Sequence, residues 1–169
     1  CINCIADVLF DQRDFPEAKE KYQSAKSLFA SIEDKLGLGN CTKRLGDIEF
    51  QNDQYEKALE LYDEAYRFYS ESGSINGLAN TTRNLGEVFM KQKNYPSAIK
   101  KMNEAVAIFY KTGDGMGLAD CYNNLAMIKK VQGEIREAIQ YAEKGFTLAN
   151  EIGTPEIVQV SAFDLVEFY

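Results

Sequence analysis

The chain has 169 residues, 45% of them hydrophobic and 27% charged, with a net charge of −7 and neither His nor Trp. That is enough apolar material to build a core for about one domain. The lack of His removes the commonest general base and transition-metal ligand, which excludes His-based triads and zinc hydrolase sites. The acidic balance disfavours a phosphate-backbone partner, so no nucleic acid is expected.

The opening Cys1-Ile2-Asn3-Cys4 is neither a start methionine nor a signal peptide, and reads as part of something longer. Cys1, Cys4, Cys41 and Cys121 make an even count. The long helical patterning is nevertheless unlike a small stapled secreted fold, so free thiols in a reducing, cytoplasmic setting are expected. Cys1-x-x-Cys4 lacks the second pair that a metal site of this kind needs, so packing is the expected role, with no metal and no cofactor. The longest apolar run, Ala105 to Tyr110, is far short of the about 20 residues that span a bilayer, and no membrane association is expected.

Shifted by 40 residues, the sequence falls on itself without a gap. Ile5, Leu45, Leu85, Leu125 and Leu165 coincide, as do Ala6, Gly46, Gly86 and Ala126, and Ala18, Ala58, Ala98 and Ala138. Large and small apolar residues repeat separately, which chance hydrophobic periodicity would not preserve. The units run over about 1–37, 38–76, 77–116 and 117–154, with a terminal helix over 155–169.

Each unit reads as two helices. In the second unit the first helix runs from about Leu38 to Asn52, with Cys41, Leu45 and Ile48 on one face. A polar break at Asp53-Gln54 precedes a second helix from about Tyr55 to Ser72, whose stripe is Ala58, Leu59, Tyr62, Ala65 and Tyr69. Gly73, Gly113 and Gly153 are placed to end second helices in a left-handed residue. Pro16 and Pro96 sit just inside second helices, and Asp14-Phe15-Pro16-Glu17 has the pattern of a capping box. Gly46 or Gly86 against Ala58 or Ala98 allows close approach of the paired helices. The aromatic residues, Tyr66, Tyr69 and Tyr110 included, are expected in the core. The terminal helix, Glu156 to Tyr169, carries Phe163, Leu165, Val166 and Phe168. That is apolar for an outer face, so the parent chain is expected to continue there or to self-associate.

These residues resemble the tetratricopeptide repeat family along the whole chain. Leu45-Gly46, Ala58-x3-Tyr62 and Ala65 follow its pattern, and Leu85-Gly86, Ala98-x3-Met102 and Ala105 repeat it. The step from Leu45 to Ala58 is that of the usual shorter unit, so the extra residues fall between a second helix and the next first helix and are expected to lengthen both. Units of this length look like those of Pins-type polarity adaptors, kinesin light chains and bacterial sensory regulators. The early Trp is replaced by Ile2, Thr42, Thr82 and Tyr122, and the late Pro by Ser70 and Tyr110. The resemblance implies an all-α, right-handed superhelical solenoid of antiparallel hairpins, four hairpins plus the terminal helix, forming a single array.

It also implies a concave groove lined by the first helices. The polar residues at helical spacing on that face are Asn40, Lys43, Arg44, Asp47 and Gln51 in the second unit. The third unit has Asn80, Arg83, Asn84, Glu87 and Lys91, and the fourth Asp120, Asn123, Asn124 and Met127. An Asn side chain offers both donor and acceptor to an extended peptide, and Lys43, Arg44, Arg83 and Lys91 are expected to select acidic side chains. On this reading Asn84→Ala and Asn124→Ala weaken binding with little loss of stability. Chaperone-tail binders of the family hold a carboxylate with Lys and Asn on one helix, Asn on the next and a cation on the third. Here Lys43 and Asn84 match, but Asp47, Asp120 and Asn124 do not, so that subtype is rejected. The expected function is a protein-binding scaffold without enzymatic activity, engaging a peptide or partner helix. The alternative is a ligand- or peptide-responsive regulatory segment of a larger signalling protein.

Overall fold

A computed structural model describes residues 2–152. The expected terminal helix at 155–169, together with Cys1 and Gly153, lies outside the described residues. Within them every regular element is an α-helix: α1 (Ile2–Asp11), α2 (Phe15–Ser31), α3 (Lys35–Gln51), α4 (Tyr55–Ser72), α5 (Ile75–Lys91), α6 (Tyr95–Thr112), α7 (Gly115–Val131) and α8 (Ile135–Glu151). The described residues fall into two compact units that divide between Val88 and Phe89, inside α5. In the first unit α1 packs on α2, α2 on α3 and α3 on α4; in the second α6 packs on α7 and α7 on α8.

The second helices begin and end close to where the sequence places them, and α4 does so at Tyr55 and Ser72. The first helices begin earlier than expected. α3 starts at Lys35 and not near Leu38, because Asp34 caps it: its carboxylate accepts from the Gly37 N–H at 3.0 Å. Asp114 does the same for Gly117 at 2.9 Å, and the Ser74 hydroxyl accepts from Gly77 N–H at 3.3 Å. These caps recur every 40 residues, three positions before the Gly of each Gly-Leu pair, and that was the available sequence signal. At the starts of second helices, Asp14 accepts from Glu17 N–H and Asn94 from Ser97 N–H, both at 3.3 Å, with Pro16 and Pro96 in the first turn.

The helix ends repeat as well. The N–H of Asp14, Asp34, Gln54, Ser74, Asn94, Asp114 and Glu134 each donates to the carbonyl five residues back. The residue before each donor is left-handed: Arg13, Glu33, Asp53, Gly73, Lys93, Gly113 and Gly133. This satisfies carbonyls that the helix leaves without partners and reverses the chain in two or three residues.

Within the first unit, two clusters of the core repeat one another. Ala18 and Tyr22 of α2 pack with Leu45 and Ile48 of α3, and Ala6 of α1 completes the group. One repeat on, Ala58 and Tyr62 of α4 pack with Leu85 and Val88 of α5. Gly46 lets α3 approach α4, since a Cβ there would stand 2.7 Å from the Tyr62 ring. Cys4, expected to have a packing role, is exposed; Cys41 and Cys121 are buried, and burial pushes the Cys41 thiol up to about 11. Tyr69 is buried as expected, but Tyr66 and Tyr110 are not: Tyr110 is 76% exposed. Tyr110 lies near the end of its helix, one residue beyond Phe109, which takes the buried position.

Candidate functional site

In the first unit the first helices α1, α3 and α5 line a cavity of about 520 Å³. α1 contributes Asn3 and Asp7, α3 contributes Asn40, Cys41, Lys43 and Arg44, and α5 contributes Asn76, Gly77 and Asn80. Tyr22, Tyr69 and Ser74 complete the lining. Of the residues expected from the sequence, Asn40, Lys43, Arg44 and Asn80 are brought together here. Asn3 and Asp7 were missed, although a shift of 40 places them on Lys43 and Asp47.

The polar groups form a bonded relay. Tyr22 donates its hydroxyl hydrogen to Asp7 Oδ1 at 2.6 Å, and one repeat later Tyr62 donates to Asp47 Oδ1 at 2.9 Å. Each carboxylate is also met by the next first helix: Arg44 Nε lies 3.2 Å from Asp7 Oδ1, and Asn84 Nδ2 donates to Asp47 Oδ1 at 3.0 Å. Asp47 Oδ2 takes Lys43 Nζ at 2.7 Å and Arg44 at 3.6 Å. Tyr69 donates to Asn40 Oδ1 at 2.9 Å, and the Cys41 thiol donates to Asn3 Oδ1 at 3.4 Å. Burial first, and the Asp47 charge next, pushes the Tyr69 hydroxyl up to about 12 and raises Tyr62 further still.

This geometry bears on two expectations. Lys43 and Arg44 are paired with Asp7 and Asp47, and Arg83 lies 3.6 Å from Glu87. Asn84 is 6% exposed and donates to Asp47. Asn84 stands one repeat on from Arg44, and each reaches an Asp of the preceding first helix.

In the second unit, Asp120, Asn123 and Asn124 are half-buried on α7 and Met127 is exposed. Asn123 Oδ1 lies where a Cβ on Gly145 would fall, so its carbonyl faces α8. Lys91, at the end of α5, is exposed. A second cleft, about 560 Å³, is lined by α6, α7 and α8. There Tyr122 and Tyr141 stack at 6.1 Å, and Lys144 lies 5.7 and 5.4 Å from their ring centres. Among the described residues no group of three or more His, Cys, Asp or Glu side chains could hold a metal, and no helix is long and apolar enough to cross a membrane.

The repeated hairpins and their Leu-Gly, Ala-x3-Tyr cores match a family model described as tetratricopeptide repeat over residues 1–71 and 77–151. The chain belongs to the tetratricopeptide repeat family. Solved structures similar to it include BtubC (BKLC) from P. vanneervenii, with a TM-score of 0.85 and 20% identity over 99% of this chain and 70% of that one. Aspartyl phosphate phosphatase F from Bacillus subtilis matches at a TM-score of 0.93 and 18% identity, over 99% of this chain and 44% of its own. TPR-like repeats from P. anserina named for the kinesin light chain match at 0.76 and 16%, over 99% and 83%. At these identities the likeness establishes the all-α repeat fold. This tetratricopeptide chain spans less than half the length of the phosphatase. No curated protein matches its sequence.

Proposed function

We propose that this chain is a non-enzymatic protein-binding scaffold, one repeat array that holds an extended peptide or partner helix along its first helices. The observation that carries the reading is the cavity of about 520 Å³ built by the first helices α1, α3 and α5. Cavities of this size suit a few side chains of a ligand. Asn3, Asn40, Asn76 and Asn80 border it at intervals, and an amide side chain can pair with peptide N–H and C=O groups whatever the ligand sequence. The cations there are balanced by Asp7 and Asp47, so the preferred ligand is polar and close to neutral at the segment it inserts. Asp120, Asn123, Asn124 and Met127 are proposed to extend the surface on α7.

The regulatory alternative keeps the same site and adds an output. Support for it is the relay through Asp7, Arg44, Asp47 and Asn84, which links three successive first helices, so a ligand seated beside it can shift their spacing. The likeness to a longer aspartyl phosphate phosphatase is compatible with such a use.

The test is selection of displayed peptides on the wild-type chain, followed by titration of a selected peptide against wild type and Asn76→Ala/Asn80→Ala. Losing two neutral hydrogen bonds is expected to weaken binding roughly tenfold or more. Unchanged affinity, with helix content and melting also unchanged, would move the site off this groove.

A further inference from the structure

Two positions, one on α2 and one on α3, break the repeat. Lys19 stands where the later second helices have Leu59, Ile99 and Ile139, and Glu49 stands where α1 and α5 have Leu9 and Phe89. On α7 the counterpart of Glu49 is Lys129, which is held by Glu134 and Glu137. Leu9 and Leu59 each pack against a core cluster, so these positions serve the core elsewhere in the chain. Here they hold an ion pair, Lys19 Nζ on Glu49 Oε1. An ion pair at an enclosed position gains the fold little over apolar side chains of similar size, because desolvation offsets the attraction. Departures of this kind from a local pattern mark candidate functional sites.

The pair is uneven. The Glu49 side chain is 7% exposed and that of Lys19 44%. Lys19 occupies Oε1, and Oε2 accepts no hydrogen bond from any described residue. Glu49 lines a cleft of about 370 Å³ that shares no residue with the cavity between the first helices. α2 borders this cleft with Lys19, α4 with Lys57, Glu60 and Leu61, and Leu45 accompanies Glu49 from α3. Leu61 is the reverse departure, an apolar residue where α2 and α6 carry Lys21 and Lys101. The cleft therefore combines an aliphatic surface, Leu45 and Leu61, with an enclosed carboxylate that keeps one oxygen unused.

We infer that this cleft takes an arginine side chain from a partner protein. The aliphatic stem lies along Leu45 and Leu61, and the guanidinium donates to Glu49 Oε2 while Lys19 keeps Oε1. Arginine suits the site better than lysine, because its weaker hydration lowers the cost of reaching an enclosed carboxylate and its several donors also serve the exposed Glu60. Lys57 is exposed and has no ion-pair partner among the described residues, which favours an acidic residue close to that arginine. The chain's net charge of −7 draws basic segments toward it. The site stands apart from the groove between the first helices, so either can fail without the other.

The experiment titrates the chain with the blocked peptide acetyl-Ala-Arg-Ala-Glu-amide and follows backbone amide NMR shifts. Saturable shifts are expected at Leu45, Glu49 and Leu61. Replacing the peptide's arginine by citrulline, its neutral isostere, and separately Glu49→Gln in the chain, are each expected to weaken binding about tenfold or more. The double variant Lys19→Leu/Glu49→Phe restores the residue types of Leu59 and Phe89; it is expected to abolish the shifts while holding or raising the melting midpoint. Lys19→Leu/Glu49→Leu, with the residue type of Leu9, guards against overpacking by the larger ring. The inference is overturned if no shift saturates, if the citrulline peptide binds equally, or if the shifts lie at Asn40, Asn76 and Asn80 instead. It is also overturned if both apolar pairs lower the melting midpoint, since the ion pair then serves the fold. Tighter binding of free L-arginine than of the peptide would likewise overturn it, by making the cleft a small-molecule site.

Discussion

Asp47 shows how one carboxylate can gather side chains from several helices. Four neighbours converge on it: Tyr62 and Asn84 on Oδ1, Lys43 and Arg44 on Oδ2. At 14% side-chain exposure it is screened less than a surface pair, so its partners matter to the fold. Asn84→Ala removes a buried donor and is expected to cost about 1–3 kcal/mol. Asn80→Ala removes a half-buried amide whose own bond is to the Asn76 carbonyl, and is expected to stay within about 0.5 kcal/mol. Urea titration at unchanged m-value separates the two, and equal losses would refute the division of labour. The sequence could not supply this distinction. Asn80 and Asn84 are the same residue type on one helix face, four apart, and only the tertiary position of Asp47 makes one structural.

At the level of the helix, left-handed ends were legible only where glycine marked them, although the polar break at Asp53-Gln54 located one turn without it. Gly73 and Gly113 announced their left-handed ends, but Arg13, Glu33, Asp53 and Lys93 adopt the same conformation without any such signal. The repeat makes them inferable, because Glu33 falls on Gly73 and Asp53 on Gly133 at multiples of the period. Gly73→Ala is expected to cost about 1–2 kcal/mol, since a Cβ is disfavoured there even though nothing lies within 4 Å of it. Asp34→Ala, which leaves the Gly37 N–H without its cap, is expected to lose about 0.5–2 kcal/mol. Both are read from thermal melts followed by helix signal. If Gly73→Ala is neutral, the turn has relaxed to another conformation and the repeated chain reversal is less constrained than its hydrogen bonds imply. The early starts of α3 and α7 have the same origin as these turns: hydrophobic spacing locates the middle of a helix, whereas side-chain caps locate its ends.

For the molecule as a whole, the repeat was readable because each unit reuses the same size pattern in its core, while the polar chemistry drifts from unit to unit. Tyr22 and Tyr62 occupy one repeat position, but Met102 and Ala142 follow, and Tyr69 is succeeded by Phe109 and Ala149. The bonded tyrosines are therefore concentrated in residues 2–88, and this has a consequence for pH. Burial and their carboxylate neighbours raise Tyr22 and Tyr62 above the ordinary tyrosine value, and Tyr69 reaches about 12. A raised acid of this kind favours the protonated, folded form. Its contribution is fully present below the unfolded value of about 10 and is lost as pH rises toward the folded one. Helix content is thus expected to hold to about pH 10 and then fall, with tyrosinate absorbance from these residues appearing together with the loss of helix. If Tyr22, Tyr62 and Tyr69 ionised near pH 10 with the helices intact, their hydroxyls would be open to water, and the relay that borders the cavity would not persist in solution.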